Sequence, residues 1–192
     1  QNRQYPLKSA SNPRTLKPMN ITLRAGKATE AAAISELAGE TFPAACPSDM
    51  PETAIADFID RELSTEKFEY YLGDEERFML LVAEAEGRLL AYTLVDLQPE
   101  NPPADVATPV AYFSKIYAHE DARGIGVANA IVDEALEEVR QQGFKTAYLG
   151  TNQKNDRANV FYAKRGFEIV GTREFDVTGG VILHDFVRAK KL

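Results

Sequence analysis

The chain has 192 residues, which is enough to bury one hydrophobic core and too few for two full domains, so a single domain is expected. Its composition, 44% hydrophobic and 27% charged, excludes a disordered chain, and its net charge of −7 argues against a nucleic-acid partner. No apolar run approaches the roughly 20 residues of a membrane span, and no apolar secretory signal opens the chain. We therefore expect a cytoplasmic location and no membrane partner.

Metal-binding and redox-active side chains are scarce. Cys46 is the single cysteine and cannot close an internal disulfide, and His119 and His184 are the only histidines. Because these residues lack metal-ligand spacing, no metal site is expected. Nothing beside Cys46 in the sequence would lower its pKa, so we do not expect it to carry an acyl group.

The predicted elements begin after a basic tail. Residues 1–18 are polar, contain three prolines and four basic residues, and are expected to lie outside a domain spanning 19–192. The next elements are a half-buried strand at 21–23 and helices at about 29–41, 53–63 and 68–72.

These helices lie in an acid-rich stretch. Residues 28–76 hold thirteen Asp and Glu against only Arg61 and Lys67. The simplest interpretation is that the acids form solvated helix faces. The alternative is a surface that attracts a cation.

The second half of the chain mixes strands and helices. In chain order, the pattern predicts a hairpin at 78–83 and 89–97, a strand at 110–118, a helix at 126–142 stopped by Gly143, a strand at 146–151, a helix at 157–165, and a hairpin at 167–176 and 181–188 around Gly179-Gly180.

The most informative segment joins strand 110–118 to the following helix. It reads Arg123-Gly124-Ile125-Gly126-Val127-Ala128. Glycines at a helix N-terminus expose backbone N–H groups and a partial positive charge, which suits a pyrophosphate. A Rossmann dinucleotide site is disfavoured, because the spacing is not G-x-G-x-x-G and no acidic strand end follows about 20 residues later.

A second motif follows, and together the two resemble a known family. It reads Asn155-Asp156-Arg157-Ala158-Asn159-Val160-Phe161-Tyr162-Ala163-Lys164-Arg165-Gly166-Phe167. The first motif resembles the Arg/Gln-x-x-Gly-x-Gly/Ala signature of the GNAT acetyltransferase superfamily, and the second resembles its Asn-x-x-Ala-x-x-Phe-Tyr-x-x-x-Gly-Phe element. The resemblance covers 19–192. It implies the GNAT fold, of α/β (α+β) class, with a mixed, mostly antiparallel sheet of six to seven strands flanked by about four helices.

The resemblance also implies a cofactor site for acetyl-CoA as co-substrate. Ile116, Tyr117 and Ala118 would present strand backbone to the pantetheine arm and the thioester. The six residues Arg123, Gly124, Ile125, Gly126, Val127 and Ala128 would bind the pyrophosphate. Asn155 would hydrogen-bond the cofactor, and Tyr162 would hold its phenol near the thioester sulfur.

Tyr162 is the predicted general acid. A phenol with a pKa near 10 is suited to protonate a leaving thiolate whose thiol has a pKa near 8.5. The general base is not assigned. Some family members carry a glutamate twelve residues before the tyrosine, but Gly150 stands there. Four residues could act as a proton relay but are each more simply explained as ordinary surface or strand residues: His119, Glu120, His184 and Asp185.

The acceptor is expected to be a small-molecule amine. Within the superfamily the layout is most similar to PaiA-type polyamine N-acetyltransferases, and the acid-rich helices would favour a polyamine. A protein N-terminus, a lysine or an aminoglycoside stays open as the acceptor, as does a catalytically silent acyl-CoA-binding regulatory module. The C-terminal hairpin is a candidate homodimer surface on family grounds.

Overall fold

The computed structural model describes residues 3–5, 20–178 and 180–192. Its strands are β1 (Arg3–Tyr5), β2 (Ile21–Ala25), β3 (Phe78–Ala85), β4 (Arg88–Asp96), β5 (Val110–Ala118), β6 (Thr146–Asn152), β7 (Glu168–Thr178) and β8 (Val181–Lys191). Its helices are α1 (Ala31–Thr41), α2 (Glu52–Glu62), α3 (Thr65–Gly73), α4 (Val127–Gln141) and α5 (Asp156–Lys164).

The strands form one sheet in the order β1-β2-β3-β4-β5-β6-β8-β7. Within the described residues, β5 and β6 are the one parallel pair. The predicted α+β class and mixed, mostly antiparallel sheet are confirmed, and β2 to β8 are the seven strands predicted from the pattern. The turn residue Gly179 of the last hairpin lies outside the described residues.

The basic tail falls mostly outside the described residues. Its exception is Arg3–Tyr5, which pairs antiparallel with β2, Gln4 opposite Thr22. The sequence analysis placed all of 1–18 outside the fold, so these three residues differ from the prediction. Their pairing uses backbone groups at a sheet edge, and a short polar segment gives no hydrophobic signal of it.

Helices cover both faces of the sheet. Leu80 and Val82 of β3 belong to a core cluster with α1, α2 and α3, whereas Leu81 and Ala83 belong to a second cluster with α4 and with Tyr162 of α5. Successive strand residues point to opposite faces, which produces this alternation. None of the helices in the described part of the chain has the length and apolarity to cross a membrane.

Helix α4 follows its sequence pattern closely. Val127, Ile131, Ala135 and Val139 recur at helical spacing, and all four are fully buried against the sheet. The helix stops before Gly143, whose φ of 91° lies in the left-handed region that glycine adopts without strain. This helix fixes the position of the loop before it.

Strands β5 and β6 run together and then diverge. They pair only from Val110 opposite Thr146 to Tyr112 opposite Tyr148. Beyond Tyr112, β6 continues beside β8, while β5 continues beside β4. The edge of β5 that faces β6 is therefore without a strand partner from residue 113 onward, and a gap opens between the two strands.

A β-bulge lies at the start of this gap. Val95 of β4 pairs with Phe113 and Leu94 pairs with Lys115, so Ser114 is the extra residue of β5. The bulge reverses which side chains face each layer: Phe113 packs with α4 before it, whereas Ile116 and Ala118 do so after it. Lys115 and Tyr117 consequently face the α1–α3 side.

Candidate active site

The gap between β5 and β6 widens into a cavity of about 440 Å³. Residues 113–117 of β5 and 149–152 of β6 form two of its walls, and Tyr162 of α5 lines it between them. The α1–α3 side contributes an aromatic wall in which the Phe42 and Phe58 rings stack 4.4 Å apart. A single space thus reaches from the splayed strand to the acid-rich helices.

The glycine loop before α4 has the geometry of an anion site. Gly124 and Gly126 have φ values of 77° and 85°, and no side chain caps the first turn of α4. The first N–H groups of the helix therefore stay available beside its positive dipole end. A Cβ built on Gly124 would meet no protein atom within 4 Å, so a phosphate has room there. This loop fits the pyrophosphate of acetyl-CoA.

The predicted cofactor residues divide between the cavity and its outer surface. Ile116 and Tyr117 line the cavity, whereas Ala118 and Ile125 pack against the α4 core. Arg123 and Gly124 are exposed. This division suits a ligand whose acyl arm enters the gap while its phosphates remain at the surface.

Asn155 lies beside the cavity but is largely engaged. Its side-chain oxygen accepts from the Ala158 N–H at 3.1 Å and so caps α5. Its amide nitrogen donates to the Ala45 carbonyl at 3.4 Å, which ties the loop after α1 to α5. One amide hydrogen is left for a ligand.

Tyr162 combines burial with a free hydroxyl. Its residue surface is 8% exposed and its ring contacts Phe161 and Phe167, with centroids 5.1 and 5.8 Å away. Among the described residues its hydroxyl has no hydrogen-bond partner and is not sealed from the cavity. Burial raises its pKa well above the ordinary value, with Arg165 opposing the shift. The phenol therefore stays protonated at neutral pH.

Of the candidate proton-relay residues, the structure brings Asp185 into the cavity. His119 Nδ1 accepts from the Asp121 N–H at 3.2 Å and its ring contacts Arg88, away from the lining. Glu120 is exposed, and His184 has a side chain 62% exposed. Asp185 lines the cavity and is buried, which raises its pKa, while Arg173 opposes the shift.

The Arg173 guanidinium occupies the space in which a side chain at position 150 would lie. A Cβ on Gly150 would lie 2.6 Å from the Arg173 Cζ atom. The guanidinium is held there by Asp185 at 3.3 Å and by the Tyr112 hydroxyl oxygen, which accepts from it at 3.0 Å. No local sequence pattern marks Arg173, because its contact with Gly150 depends on the pairing of β6 with β8 and of β8 with β7. Among the residues that line the cavity, β8 supplies a carboxylate, Asp185, whereas β6 supplies none.

Cys46 also lines the cavity, but its chemistry does not suit a nucleophile. Burial raises the pKa of its thiol to about 11. Its Sγ contacts the Phe42 carbonyl oxygen at 3.4 Å. The thiolate, which is the reactive form, is therefore disfavoured.

A glycine substitution tests the assignment of the loop. Gly124→Ala should raise the KM for acetyl-CoA about tenfold, because the methyl group occupies phosphate space and φ is positive. Gly143→Ala is the matched control, since Gly143 has a φ of 91°, open space around it, and a place at the opposite end of α4. Both variants should lose about 1 kcal/mol of stability. Equal KM values for acetyl-CoA in the two variants would show that this loop does not bind the cofactor.

Comparisons with known proteins agree with this fold. Residues 32–167 match the family model for the acetyltransferase (GNAT) family. An uncharacterized N-acetyltransferase of Mycobacterium tuberculosis (strain ATCC 25618 / H37Rv) is 36% identical over 164 residues, covering 85% of this chain and 99% of that protein. The fold and cavity are those of an acyl-CoA-dependent N-acetyltransferase. The chain belongs to the GNAT acetyltransferase family.

Solved structures show the same fold. The PaiA N-acetyltransferase from Thermoplasma acidophilum in complex with coenzyme A has a TM-score of 0.73 at 19% identity, covering 90% of this chain and 99% of that one. The yncA structure from Salmonella typhimurium with its cofactor acetyl-CoA has a TM-score of 0.66 at 17% identity, covering 89% and 93%. The predictions of a GNAT enzyme, of a PaiA-like layout and of acetyl-CoA as co-substrate are confirmed.

Proposed function

We propose that the protein transfers the acetyl group of acetyl-CoA directly to a primary amine of a small acceptor within a ternary complex. The observation that carries this proposal is Tyr162, a buried phenol whose hydroxyl is open to the cavity beside the unpaired edge of β5. Cys46, the one thiol of the chain, has a raised pKa, which argues against an acyl-enzyme route.

Each chemical requirement of the transfer has a candidate group. Backbone N–H groups on the free edge of β5, at Ile116 and its neighbours, would polarise the thioester carbonyl. The amine nitrogen forms the new C–N bond as the C–S bond breaks, and Tyr162 would donate its proton to the departing sulfur. A primary amine has a pKa of about 10, so it loses one proton to solvent before it attacks and a second proton as the amide forms. We infer that the second proton passes to Asp185 directly or through water, because that carboxylate lines the cavity with a raised pKa, and that it then returns to the Tyr162 phenolate.

The polyamine prediction has less support from the cavity than from the sequence. Of the thirteen acids at 28–76, Glu62 is the one that lines the cavity. The others are spread over the helices outside the lining. A small amine acceptor therefore stays the proposal, and a polyamine is one member of the panel that tests it.

The test follows thiol release from acetyl-CoA in the presence of amines. The panel holds spermidine, a simple diamine, several amino acids, a lysine peptide and an aminoglycoside, and the product amide is identified by mass spectrometry. We expect thiol release that depends on at least one small amine. Tight acetyl-CoA binding without amine-dependent release would instead support the catalytically silent module.

Two further predictions concern the whole protein. The β7–β8 hairpin exposes Ile169, Val170 and Ile182, which are 46–52% accessible, and the homodimer expected at that surface stays a prediction. Sedimentation of Ile169→Lys against the unmodified protein tests the dimer. The cytoplasmic location stays a prediction.

A further inference from the structure

The charges lining the cavity are unevenly paired. Three cations and three carboxylates line it: Arg77, Lys115, Arg173, Glu62, Asp96 and Asp185. Arg77 pairs with Asp96 at 3.1 Å, and Arg173 pairs with Asp185 at 3.3 Å. Lys115 makes no hydrogen bond or ion pair with any residue in the described part of the chain, so its ammonium is left over.

The surroundings of Lys115 do not neutralise it. Its Nζ lies 5.6 Å from the centroid of the Tyr71 ring. The nearby Glu62 carboxylate already has two cationic partners, Arg61 at 3.0 Å and Lys67 at 3.8 Å. Burial lowers the pKa of Lys115 to about 8, with Glu62 opposing the shift and Lys67 adding to it. An ammonium that is partly buried and has no counter-ion is costly, and a bound anion would reduce that cost.

The backbone directs this cation at the acceptor side. The bulge at Ser114 turns Lys115 away from the α4 core, toward α3 and the aromatic wall. Phe42, Phe58 and Phe175 form that wall, the Phe58 and Phe175 rings lying 6.1 Å apart. The site therefore offers one unpaired positive charge beside an apolar surface.

We propose that the acceptor is a small amino acid-like molecule whose carboxylate binds the ammonium of Lys115 while its apolar part packs on the aromatic wall. The inference rests on the proposed function and names its substrate class. The single positive charge of Lys115 matches the single negative charge of a carboxylate, and because lysine also binds phosphates as a point charge, a phosphate is compared directly in the test. A polyamine would instead bring several positive charges to an ammonium that has no counter-ion.

Matched acceptors test the proposal. Glycine, 4-aminobutyrate, leucine and phenylalanine are each compared with the corresponding carboxamide, and the ratio of kcat/KM for acid over amide is measured. We expect the best pair to favour the acid. Lys115→Met should lower that ratio tenfold or more, and Lys115→Arg should largely keep it, because a charge-assisted contact is lost only in the first. Lys115→Glu should shift preference toward diamines.

A control variant and a binding measurement distinguish loss of the carboxylate contact from a general change of charge and from unfolding. Lys145→Met removes an exposed ammonium that lies outside the lining, and it should leave the ratio unchanged. Equal acetyl-CoA affinity verifies that each variant is folded. Phosphoethanolamine against ethanolamine tests a phosphate in place of the carboxylate, and preference for the phosphate would overturn the proposal.

Failure of the inference and failure of the proposed function look different. If amines are acetylated but no pair shows a preference that depends on Lys115, the carboxylate acceptor is wrong and the enzyme activity stands. If no amine is acetylated, calorimetry with the same acids and amides on the CoA-bound protein decides the anion site. Binding of an acid that Lys115→Met abolishes supports the site without the activity, and absence of such binding overturns the site as well.

Discussion

Tyr162→Phe should lower kcat for acetyl transfer by about 100-fold or more while leaving the affinity for acetyl-CoA nearly unchanged. Losing a positioned general acid typically costs about 10²–10⁴-fold. The ring stays packed against Phe161 and Phe167, so only the proton donor is removed. Steady-state thiol release gives kcat, and calorimetry gives the affinity for the cofactor.

Tyr92→Phe is the matched control for this prediction. Tyr92 is fully buried, lies outside the cavity lining, and has a hydroxyl without a partner among the described residues. Removing the Tyr92 hydroxyl should leave kcat unchanged and should leave the free energy of unfolding equal or slightly higher, because a buried polar group without a hydrogen bond is lost. If Tyr162→Phe stays as active as Tyr92→Phe, the proton comes from elsewhere, and Tyr117 is the other phenol to test beside it.

Arg173→Met should destabilise the protein by about 2 kcal/mol at pH 8, because Asp185 is left buried without its partner. The penalty should shrink on acidification. The folded-state pKa of Asp185 is already raised by burial, and losing Arg173 raises it further. A carboxyl with a raised folded pKa costs nothing below its unfolded value near 4, and its cost grows as pH rises through the folded value. Denaturant unfolding at pH 5 and pH 8 measures the difference.

An exposed arginine provides the comparison. Arg140 pairs with Glu137 at 2.8 Å across one helical turn, with side chains 58% and 34% exposed. Arg140→Met should cost only a few tenths of a kcal/mol at either pH. A penalty for Arg173→Met that is the same at both pH values would show that Asp185 is not its source.

The local parts of the site could be read from sequence. The loop from Arg123 to Ala128 and the segment from Asn155 to Phe167, which carries Tyr162, are continuous in sequence, so their resemblance to the two GNAT motifs could be recognised without knowing how the rest of the chain folds. The order of strands and helices could also be predicted, because each element has its own local hydrophobic spacing. Element boundaries agreed to within a few residues.

The acceptor side could not be read in the same way. Simple alternation from Phe113 would place Lys115 beside it in the α4 core, and only the pairing with β4 shows the extra residue at Ser114. Arg173 reaches Gly150 across two strand pairings that no local pattern encodes. The acid count of 28–76 was equally uninformative, because a count does not say which helix face meets the cavity.

The bulge at Ser114 has a consequence for how this enzyme could change its substrate. Because of that one residue, the side chains of β5 after the bulge divide into two sets with different roles. Ile116 and Ala118 are constrained by packing on α4, while Lys115 and Tyr117 meet the acceptor side. Substitution at Lys115 can therefore alter acceptor choice without disturbing the core. If Ser114 instead paired in regular register without the bulge, the two sets would exchange faces, and the ammonium would point into the α4 core. The bulge at this one residue therefore decides which side chains of β5 pack in the core and which meet the acceptor.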